Sequence, residues 1–285
     1  MKLVRFGPPD TERPGIIDNN GQLRDAQSLV DDWHGATLTD ECLAQVAAAA
    51  ATLPLVTDNP HPRLGAPVGT ISKFIVIGLN YAAHAAEAGL SPPTDPIIVL
   101  ASPTAVCGGN DTICLPPNSH KTDWEIELGV VIGRGGRFIA ATEALQHVAG
   151  YCIANDVSER EYQIERGTQW GKGKSYDTFK PLGPWLVTRD EIPDPQNLNM
   201  QLQRNGKICQ QSNTQDMIFP VAELISRISE YMTLCAGDVL VTGTPPGVGY
   251  GMKPPQFLCA GDQLQLNIDG LGQQENTVAA HVTHK

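Results

Sequence analysis

Two glutamates on one predicted β-strand are the side chains with the clearest chemical potential in this sequence. The segment 124–133 is mostly apolar but carries Glu125 and Glu127. Because side chains alternate along a strand, both carboxylates project from the same face, about 6–7 Å apart. Two like charges on such a strand are costly unless a cation or hydrogen bonds compensate them. The alternative is that they form the solvated face of an ordinary amphipathic strand.

A third carboxylate, Asp156, stands at the end of the apolar run 151–155. If that run is a neighbouring strand, Asp156 and the two glutamates form an oxygen-rich site. Hard divalent cations prefer such ligands, with Mg²⁺ first and Mn²⁺ or Ca²⁺ next. The sequence therefore offers Glu125, Glu127 and Asp156 as candidate metal ligands.

His84 and Glu87 form a second candidate pair. They are three residues apart in a predicted short helix, so they face the same side and the carboxylate can hold the imidazole in place. That is the form of an acid/base pair, although an exposed i,i+3 pair has the same spacing. Alanines flank both residues and Gly89 closes the helix, which predicts a small lid over a ligand.

Basic and polar residues further along could bind an anionic substrate. Arg160 can form a planar fork with a carboxylate, and Gln163 follows three residues later. Lys174 could offset the three carboxylates or bind an oxyanion, although such residues are also typical of solvated loops. The segment 242–249 is typical of an anion-binding turn but lacks the ending of a P-loop.

Composition excludes several classes of function. The chain has 285 residues, of which 41% are hydrophobic and 18% charged, which is typical of one large globular domain and a small one. Its net charge of −11 argues against nucleic-acid and membrane partners. Because it has no membrane span, no signal core and seven scattered cysteines, we expect a cytoplasmic protein with reduced thiols.

The elements that must position these residues divide into two predicted units. Residues 1–66 predict a small N-terminal α/β domain, with a hairpin turned at Asn20-Gly21 and a helix capped at Thr39. Residues 67–285 predict the catalytic domain, with the lid at about 81–95. No G-x-G-x-x-G follows the first strand, so a Rossmann domain is not indicated.

Strand signals dominate the larger unit, which makes the expected fold class α+β and strand-dominated. A helix is predicted at about 141–145, and Pro220 opens a second one. The strands are predicted at about 73–78, 96–100, 124–133, 151–156, 198–203, 207–209, 237–243 and 264–268.

Five segments, taken in order, resemble the motifs of the fumarylacetoacetate hydrolase family. They are Gly78-Leu79-Asn80-Tyr81-x-x-His84-x-x-Glu87, Trp124-Glu125-Ile126-Glu127-Leu128-Gly129-Val130-Val131-Ile132-Gly133, Asn155-Asp156-Val157-Ser158-x-Arg160-x-x-Gln163, Gly173-Lys174-Ser175-x-Asp177-x-Phe179-x-Pro181-x-Gly183-Pro184 and Thr242-Gly243-Thr244-Pro245-x-Gly247-Val248-Gly249. The resemblance covers about residues 70–270. Each segment alone is a weak signal, but five in the family's order and spacing favour the metal-site interpretation of the two glutamates.

The resemblance implies a mixed β-sandwich roll of the fumarylacetoacetate hydrolase type, assembled as a homodimer or homotetramer. It implies Mg²⁺, or Mn²⁺, held by Glu125, Glu127 and Asp156, and a small anionic diketo acid as substrate. The remaining site residues that it implies are His84, Glu87 and Lys174 in catalysis, and Arg160, Gln163, Thr244 and Tyr81 in substrate binding.

The N-terminal unit and the segment 155–161 are most similar to one bacterial branch of that family. Its members act on 2,4-diketo-3-deoxy acids derived from L-rhamnonate or L-fuconate, and they often carry the name ureidoglycolate lyase. One departure bears on specificity. Many members have a lysine after the strand at 96–100, where this chain has Ala101-Ser102-Pro103, so any charge which that lysine supplies must come from elsewhere.

The reaction expected from these residues is metal-dependent hydrolysis of a carbon–carbon bond in a 2,4-diketo acid. For 2,4-diketo-3-deoxy-L-rhamnonate the products are pyruvate and L-lactate. The same metal and enolate chemistry could instead decarboxylate a β-keto acid, hydrate or isomerise a dienoate, or cleave ureidoglycolate. A non-catalytic binding protein on the same fold is a further alternative, which the presence of the His84–Glu87 pair and three candidate ligands argues against.

Overall fold

The computed structural model describes residues 1–59 and 61–281, and strands dominate them. In chain order the strands are β1 (Lys2–Phe6), β2 (Arg13–Ile17), β3 (Leu23–Asp25), β4 (Phe74–Gly78), β5 (Ile97–Ala101), β6 (Val106–Gly108), β7 (Ile113–Cys114), β8 (Thr122–Asp123), β9 (Ile126–Ile132), β10 (Val148–Asn155), β11 (Ser158–Glu159), β12 (Lys180–Thr188), β13 (Asn199–Arg204), β14 (Lys207–Asn213), β15 (Val239–Val241), β16 (Gln263–Ile268) and β17 (Gly272–Ala279). The α-helices are α1 (Asp40–Ala49), α2 (Ala82–Glu87) and α3 (Val221–Tyr231), and a π-helical turn spans Glu161–Glu165.

Two large sheets and one short ribbon carry these strands. The larger sheet has ten strands in the order β3-β2-β1-β12-β10-β9-β15-β4-β5, with β6 paired to β12. The second sheet has the order β14-β13-β16-β17-β7, and β11 pairs with β8. Most neighbours are antiparallel, but β15 with β4, β12 with β6 and β17 with β7 are parallel. The expected strand-dominated, mixed fold is confirmed.

Strand β9 lies at the centre of the large sheet and is buried on both faces. Leu128 and Val130 join the main core cluster, which also contains α3 and the second sheet, whereas Val131 joins a second cluster. A strand of this kind leaves no solvated face, and Glu127 is only 1% exposed. The alternative of a solvated amphipathic strand is therefore wrong, and the carboxylate needs partners inside the protein.

The N-terminal strands extend the same large sheet. Strand β1 pairs with β12, and β2 and β3 continue the sheet to its edge. The second core cluster joins Leu3, Ile16 and Trp33 with Val76 and Leu182 of the larger unit. The domain boundary at residue 66 stays a prediction, and the N-terminal residues pack onto the sheet that carries the candidate site.

Local sequence signals agree with most of these elements. The β13–β14 hairpin turns at Asn205-Gly206, where both residues have positive φ, and the Thr39 side chain caps α1. The predicted helix at 141–145 is wrong, because the run is too short to stabilise an α-helix and forms a 3₁₀ turn at Ala144–His147. Among the described residues, no helix has the length and apolar character needed to cross a bilayer.

Candidate metal and catalytic site

One cavity of about 270 Å³ collects most of the predicted site residues. It lies where the end of β4, helix α2, the start of β9, the π-helical turn and the segment after β15 meet. The predicted site residues that line it are His84, Glu87, Glu125, Glu127, Arg160, Gln163, Lys174 and Thr244. Residues from distant parts of the chain thus meet at one concave surface.

The three candidate metal ligands are brought together by the pairing of β9 with β10. Ala154 lies opposite Glu127, and the amide of Asp156 donates a hydrogen bond of 2.9 Å to the carbonyl oxygen of Glu125. One carboxylate oxygen from each of Glu125, Glu127 and Asp156 lies within 4.8 Å of the other two, and all three residues are buried. Register and alternation together therefore place three carboxylates around one point.

Lys174 is the cation in closest contact with this triad. Its Nζ donates hydrogen bonds to Oε2 of Glu125 at 2.9 Å, to Oδ2 of Asp156, and to Oγ of Ser158 at 2.8 Å. An ammonium has three N–H groups, so all of them are used. Burial alone lowers the pKa of Lys174, but Asp156 and Glu125 hold that pKa above its usual range. The amine is therefore a charged anchor for the ligands.

Arg160 is held by carboxylates of the protein rather than left free for a substrate. Its Nε and Nη2 lie 2.8 Å from Oδ2 of Asp123, and Nη2 also lies 2.7 Å from Oε1 of Glu125. Its Nη1 donates to Oε1 of Gln163 at 3.0 Å. The guanidinium therefore has internal partners, and Arg160 also lines the cavity, so its role toward a substrate carboxylate stays a prediction.

A second buried lysine, Lys180, supports the triad from beneath Asp156. Its Nζ lies 2.7 Å from Oδ1 of Asp156 and donates to the carbonyl oxygens of Val157 and Phe179. Burial lowers the pKa of Lys180, and the charge of Asp156 opposes that change. Lys180 and Asp156 are buried, so Lys180 depends on Asp156 for charge compensation, whereas Asp156 is compensated by both Lys180 and Lys174.

We call the seven buried groups of this network the ionic cluster: Asp123, Glu125, Glu127, Asp156, Arg160, Lys174 and Lys180. Four carboxylates face three cations, so one negative charge is left over. That surplus makes ionisation of Glu127 unfavourable, since burial and the charges of Asp156 and Glu125 raise its pKa well above its usual value. Burial also raises the pKa of Glu125, but Lys174 and Arg160 more than offset it and hold that pKa low.

The residues present fit a divalent metal ion. The donor set is three carboxylates, which hard cations prefer. Among the described residues, the carboxylate of Glu127 accepts a hydrogen bond only at Oε2, from the Gly243 amide, so Oε1 retains capacity for a cation. A cation at this point would also offset the surplus negative charge of the ionic cluster. Glu125, Glu127 and Asp156 are therefore the residues that would hold it.

The His84–Glu87 pair lies on the cavity wall, at the C-terminal part of α2. Nδ1 of His84 is 3.2 Å from Oε2 of Glu87, and the same carboxylate accepts the amide N–H of Gly247 at 3.0 and 3.2 Å. Glu87 is thus fixed from two sides. With the proton on Nδ1 directed at Glu87, Nε2 of His84 is the nitrogen left to accept a proton.

Asn80 and Gly243 fix the start of α2 against the large sheet. The buried Asn80 amide donates to the carbonyl oxygens of Phe219 and Thr242, and its Oδ1 accepts the amide N–H of Phe219. Gly243 has a φ of +96°, and a Cβ there would lie 2.6 Å from Cβ of Asn80. Its amide donates to Oε2 of Glu127 at 2.7 Å. A glycine is required at this position.

Two other predicted substrate-binding residues line the cavity, and both also serve the framework. Oγ1 of Thr244 donates to the carbonyl oxygen of Ile126 and accepts from Nε2 of Gln210. Gln163 is buried and uses its carbonyl oxygen to hold Arg160. Their roles toward a substrate stay predictions.

Tyr81 does not line the cavity, and its contact with substrate stays a prediction. Its ring is buried, and its hydroxyl donates to Sδ of Met200 at 3.3 Å. The residue forms an isolated bridge with Met217 just before α2 begins. Its side chain therefore points into the core between the sheets.

Sequence reasoning missed Asp123 and Lys180. Asp123 accepts the amides of Gly249 and Tyr250 in addition to holding Arg160. It stands two residues before Glu125, so the alternation that revealed the glutamates could have been extended to it. Lys180 lies among apolar residues 179–182, and an isolated lysine in such a run was the available signal.

Comparisons with known proteins agree with this geometry. A sequence model described as fumarylacetoacetate (FAA) hydrolase C-terminal matches residues 73–279. A presumed hydrolase of Burkholderia cenocepacia is 56% identical over 276 residues, which cover 96% of this chain and 97% of that protein. The relative's general name assigns it no substrate.

Two solved structures resemble the whole chain. Fumarylacetoacetate hydrolase from Exiguobacterium antarcticum has a TM-score of 0.83 and 34% identity, covering 99% of this chain and 100% of that one. Maleylpyruvate hydrolase from Sphingobium sp. SYK-6, solved with manganese(II) and pyruvate, has a TM-score of 0.82 and 28% identity at the same coverage.

Proposed function

Since the chain belongs to the fumarylacetoacetate hydrolase family, we propose that it hydrolyses a carbon–carbon bond of a 2,4-dioxo acid. In this proposal Glu125, Glu127 and Asp156 hold Mg²⁺ or Mn²⁺. The observation that carries the proposal is that the buried triad and the His84–Glu87 pair line or adjoin one cavity. The manganese and pyruvate bound by maleylpyruvate hydrolase are further support.

A divalent ion bound there supplies Lewis-acid stabilisation of the charge that develops on the 2-oxo acid portion of the substrate. The residues of the chain do the rest. Lys174 and Arg160 hold Glu125 and Asp156 in place through buried ion pairs. Glu87 fixes the His84 ring from its Nδ1 side, and the apolar wall of the cavity limits the access of bulk water.

His84 acts as the general base in the proposed reaction. Its Nε2 accepts a proton from a water molecule, and the oxygen of that water attacks the C4 carbonyl carbon. The C3–C4 bond breaks, and its electron pair stays on C3 as the enolate of pyruvate. That carbon then takes up a proton, so one water is consumed and the products are pyruvate and a second carboxylic acid.

The finer part of the proposal concerns the natural substrate. We propose 2,4-diketo-3-deoxy-L-rhamnonate, which gives pyruvate and L-lactate, within sugar-acid catabolism. The resemblance of residues 155–161 to that branch supports it. The proposed enzyme works as a homodimer or homotetramer in the cytoplasm.

The experiment that tests the reaction measures pyruvate release from 2,4-diketo-3-deoxy-L-rhamnonate and from acetylpyruvate. Each is assayed with Mg²⁺, with Mn²⁺ and with EDTA, beside the variants Glu125→Gln and His84→Ala. Glu143→Gln is the matched control, because Glu143 is exposed and makes no capping hydrogen bond. We expect EDTA-sensitive release that both site variants reduce by at least about 100-fold and that the control preserves.

Full turnover by Glu125→Gln or His84→Ala in folded protein contradicts the mechanism. Oxaloacetate runs alongside as a probe of the alternative chemistry. Its decarboxylation needs no attacking water, so it should survive the loss of His84. Turnover of oxaloacetate alone would replace hydrolysis by decarboxylation at the same site.

A further inference from the structure

Each cationic group that lines the cavity contacts acidic or polar groups of the protein. The cationic members are Arg160 and Lys174, with His84 as a third when it is protonated, and the acidic members are Glu87, Glu125 and Glu127. Arg160 contacts Asp123, Glu125 and Gln163. Lys174 uses its three N–H groups on Glu125, Asp156 and Ser158, and His84 contacts Glu87. Among the described residues, every cation that lines the cavity therefore already has a partner within the protein.

The rest of the lining is predominantly apolar. Its large members come from β4, from the end of the lid and from the segments around the π-helical turn: Ile77, Leu79, Leu90, Ile164, Trp170 and Val248. Such a wall stabilises an apolar group by about 25 cal/mol per Å² buried. It disfavours a charged one, because a charge removed from water without a partner is strongly destabilised.

A second carboxylate on the substrate would therefore find no unpaired cation among the described residues of the cavity lining. One carboxylate belongs with the metal at the triad in the proposed reaction. A second one would face the apolar wall or the carboxylate of Glu87, with every cation of the lining already paired.

We infer that the acyl side of the substrate carries no charge, so that the enzyme acts on acylpyruvates with a single carboxylate and discriminates against dicarboxylates. This inference rests on the proposed function and deepens it. Alkyl and hydroxyalkyl acyl groups meet the requirement, and the cavity of about 270 Å³ sets a small size, at the lower end of ligand pockets. The released acid is then a small monocarboxylate.

The test separates binding from turnover. With the Mn²⁺-loaded protein, calorimetry compares 2-oxohexanoate, which has an alkyl end, with 2-oxoglutarate, which has a carboxylate at a similar distance. Pyruvate release compares butyrylpyruvate with maleylpyruvate. We expect the monocarboxylate to bind at least about tenfold tighter and to have a kcat/KM at least about tenfold higher.

A matched pair of variants at Ile164 sharpens the test. Ile164 lines the cavity and is 45% exposed, so a polar residue is tolerated there with little effect on stability. Ile164→Arg supplies a free guanidinium and should strengthen the binding of 2-oxoglutarate at least about fivefold, as charge-assisted pairs do. Ile164→Gln, which is polar but uncharged, should not.

The outcomes distinguish this inference from the proposed reaction. If 2-oxoglutarate binds the wild-type protein as tightly as 2-oxohexanoate, or maleylpyruvate is cleaved as well as butyrylpyruvate, the inference is overturned while the hydrolase stands. If 2-oxohexanoate is preferred but no dioxo acid yields pyruvate, the reaction fails and the binding preference stands. If neither oxo acid binds, both are wrong.

Discussion

Replacing Glu127 by glutamine should stabilise the metal-free protein and abolish most of its response to metal. Glu127 is buried, and its ligand oxygen lies within 4.8 Å of those of Glu125 and Asp156. At that distance each like-charge pair costs about 3.5 kcal/mol for an effective dielectric constant of 20, an energy that Lys174 offsets in part. Glutamine removes the charge and can still accept the Gly243 amide. We expect a net stabilisation of about 1–3 kcal/mol.

The size of this effect depends on pH. Because the pKa of Glu127 in the folded protein lies above its unfolded value, mainly through burial and then through Asp156 and Glu125, ionisation opposes folding. The cost is absent below the unfolded pKa, near 4.3. It grows as the pH rises toward the folded pKa and persists above it. The difference in the free energy of unfolding between Glu127→Gln and the wild type should therefore be largest at neutral pH and should disappear near pH 4.

Bound metal should reverse the order of stability, so that the wild type becomes more stable than Glu127→Gln. Mn²⁺ at about 1,000 times its dissociation constant stabilises the wild type by about 4.1 kcal/mol. That corresponds to a rise of about 8–16 °C in Tm at about 2–4 °C per kcal/mol. The variant lacks one ligand charge and should gain far less. Thermal unfolding of both proteins at pH 7.5, with EDTA and with Mn²⁺, measures this crossover.

Glu143→Gln is the control, because it removes an exposed carboxylate that lies outside the ionic cluster. Its Tm should equal that of the wild type both with EDTA and with Mn²⁺. The reasoning is refuted if Glu127→Gln is less stable than the wild type in EDTA at pH 7.5. If Mn²⁺ raises the Tm of the variant as much as that of the wild type, Glu127 is not a metal ligand.

Three further substitutions test the supports of the site. Lys180→Met should destabilise the metal-free protein by about 1–3 kcal/mol, because Asp156 loses one of its two buried ammonium partners and keeps only Lys174, and Mn²⁺ should restore part of it in urea unfolding. Glu87→Gln should lower kcat for pyruvate release about 10–100-fold with little change in KM, because His84 loses its carboxylate partner. Asn80→Ala should cost about 2–4 kcal/mol in urea unfolding, since three buried hydrogen bonds are lost.

Sequence reasoning located the triad because its geometry is local. Glu125 and Glu127 share a face through the period of a strand, and Asp156 ends an apolar run that pairs with the same strand. The His84–Glu87 contact needs only one helical turn. Hairpin and capping signals are equally short-range, which is why the hairpin at Asn20-Gly21 and the cap at Thr39 were predicted correctly.

The unpredicted features depend on contacts between residues far apart in the chain. Arg160 was assigned to substrate because nothing local reveals that Asp123, 37 residues earlier, occupies its guanidinium. The direction of the Tyr81 side chain depends on Met200, 119 residues away. The enclosure of Lys180 follows from the packing of the large sheet. Pairings of this kind are set by tertiary structure, which propensity and periodicity do not encode.

Charge in the ionic cluster links the metal to the choice of substrate. Its four carboxylates exceed its three cations by one, and burial together with Asp156 and Glu125 raises the pKa of Glu127. A bound divalent ion would change the net charge of the cluster from −1 to +1. One substrate carboxylate would then neutralise it. A second carboxylate would restore an unbalanced negative charge in a cavity where each cation already has carboxylate partners. The same surplus that calls for a metal thus also argues for an acylpyruvate with an uncharged acyl group.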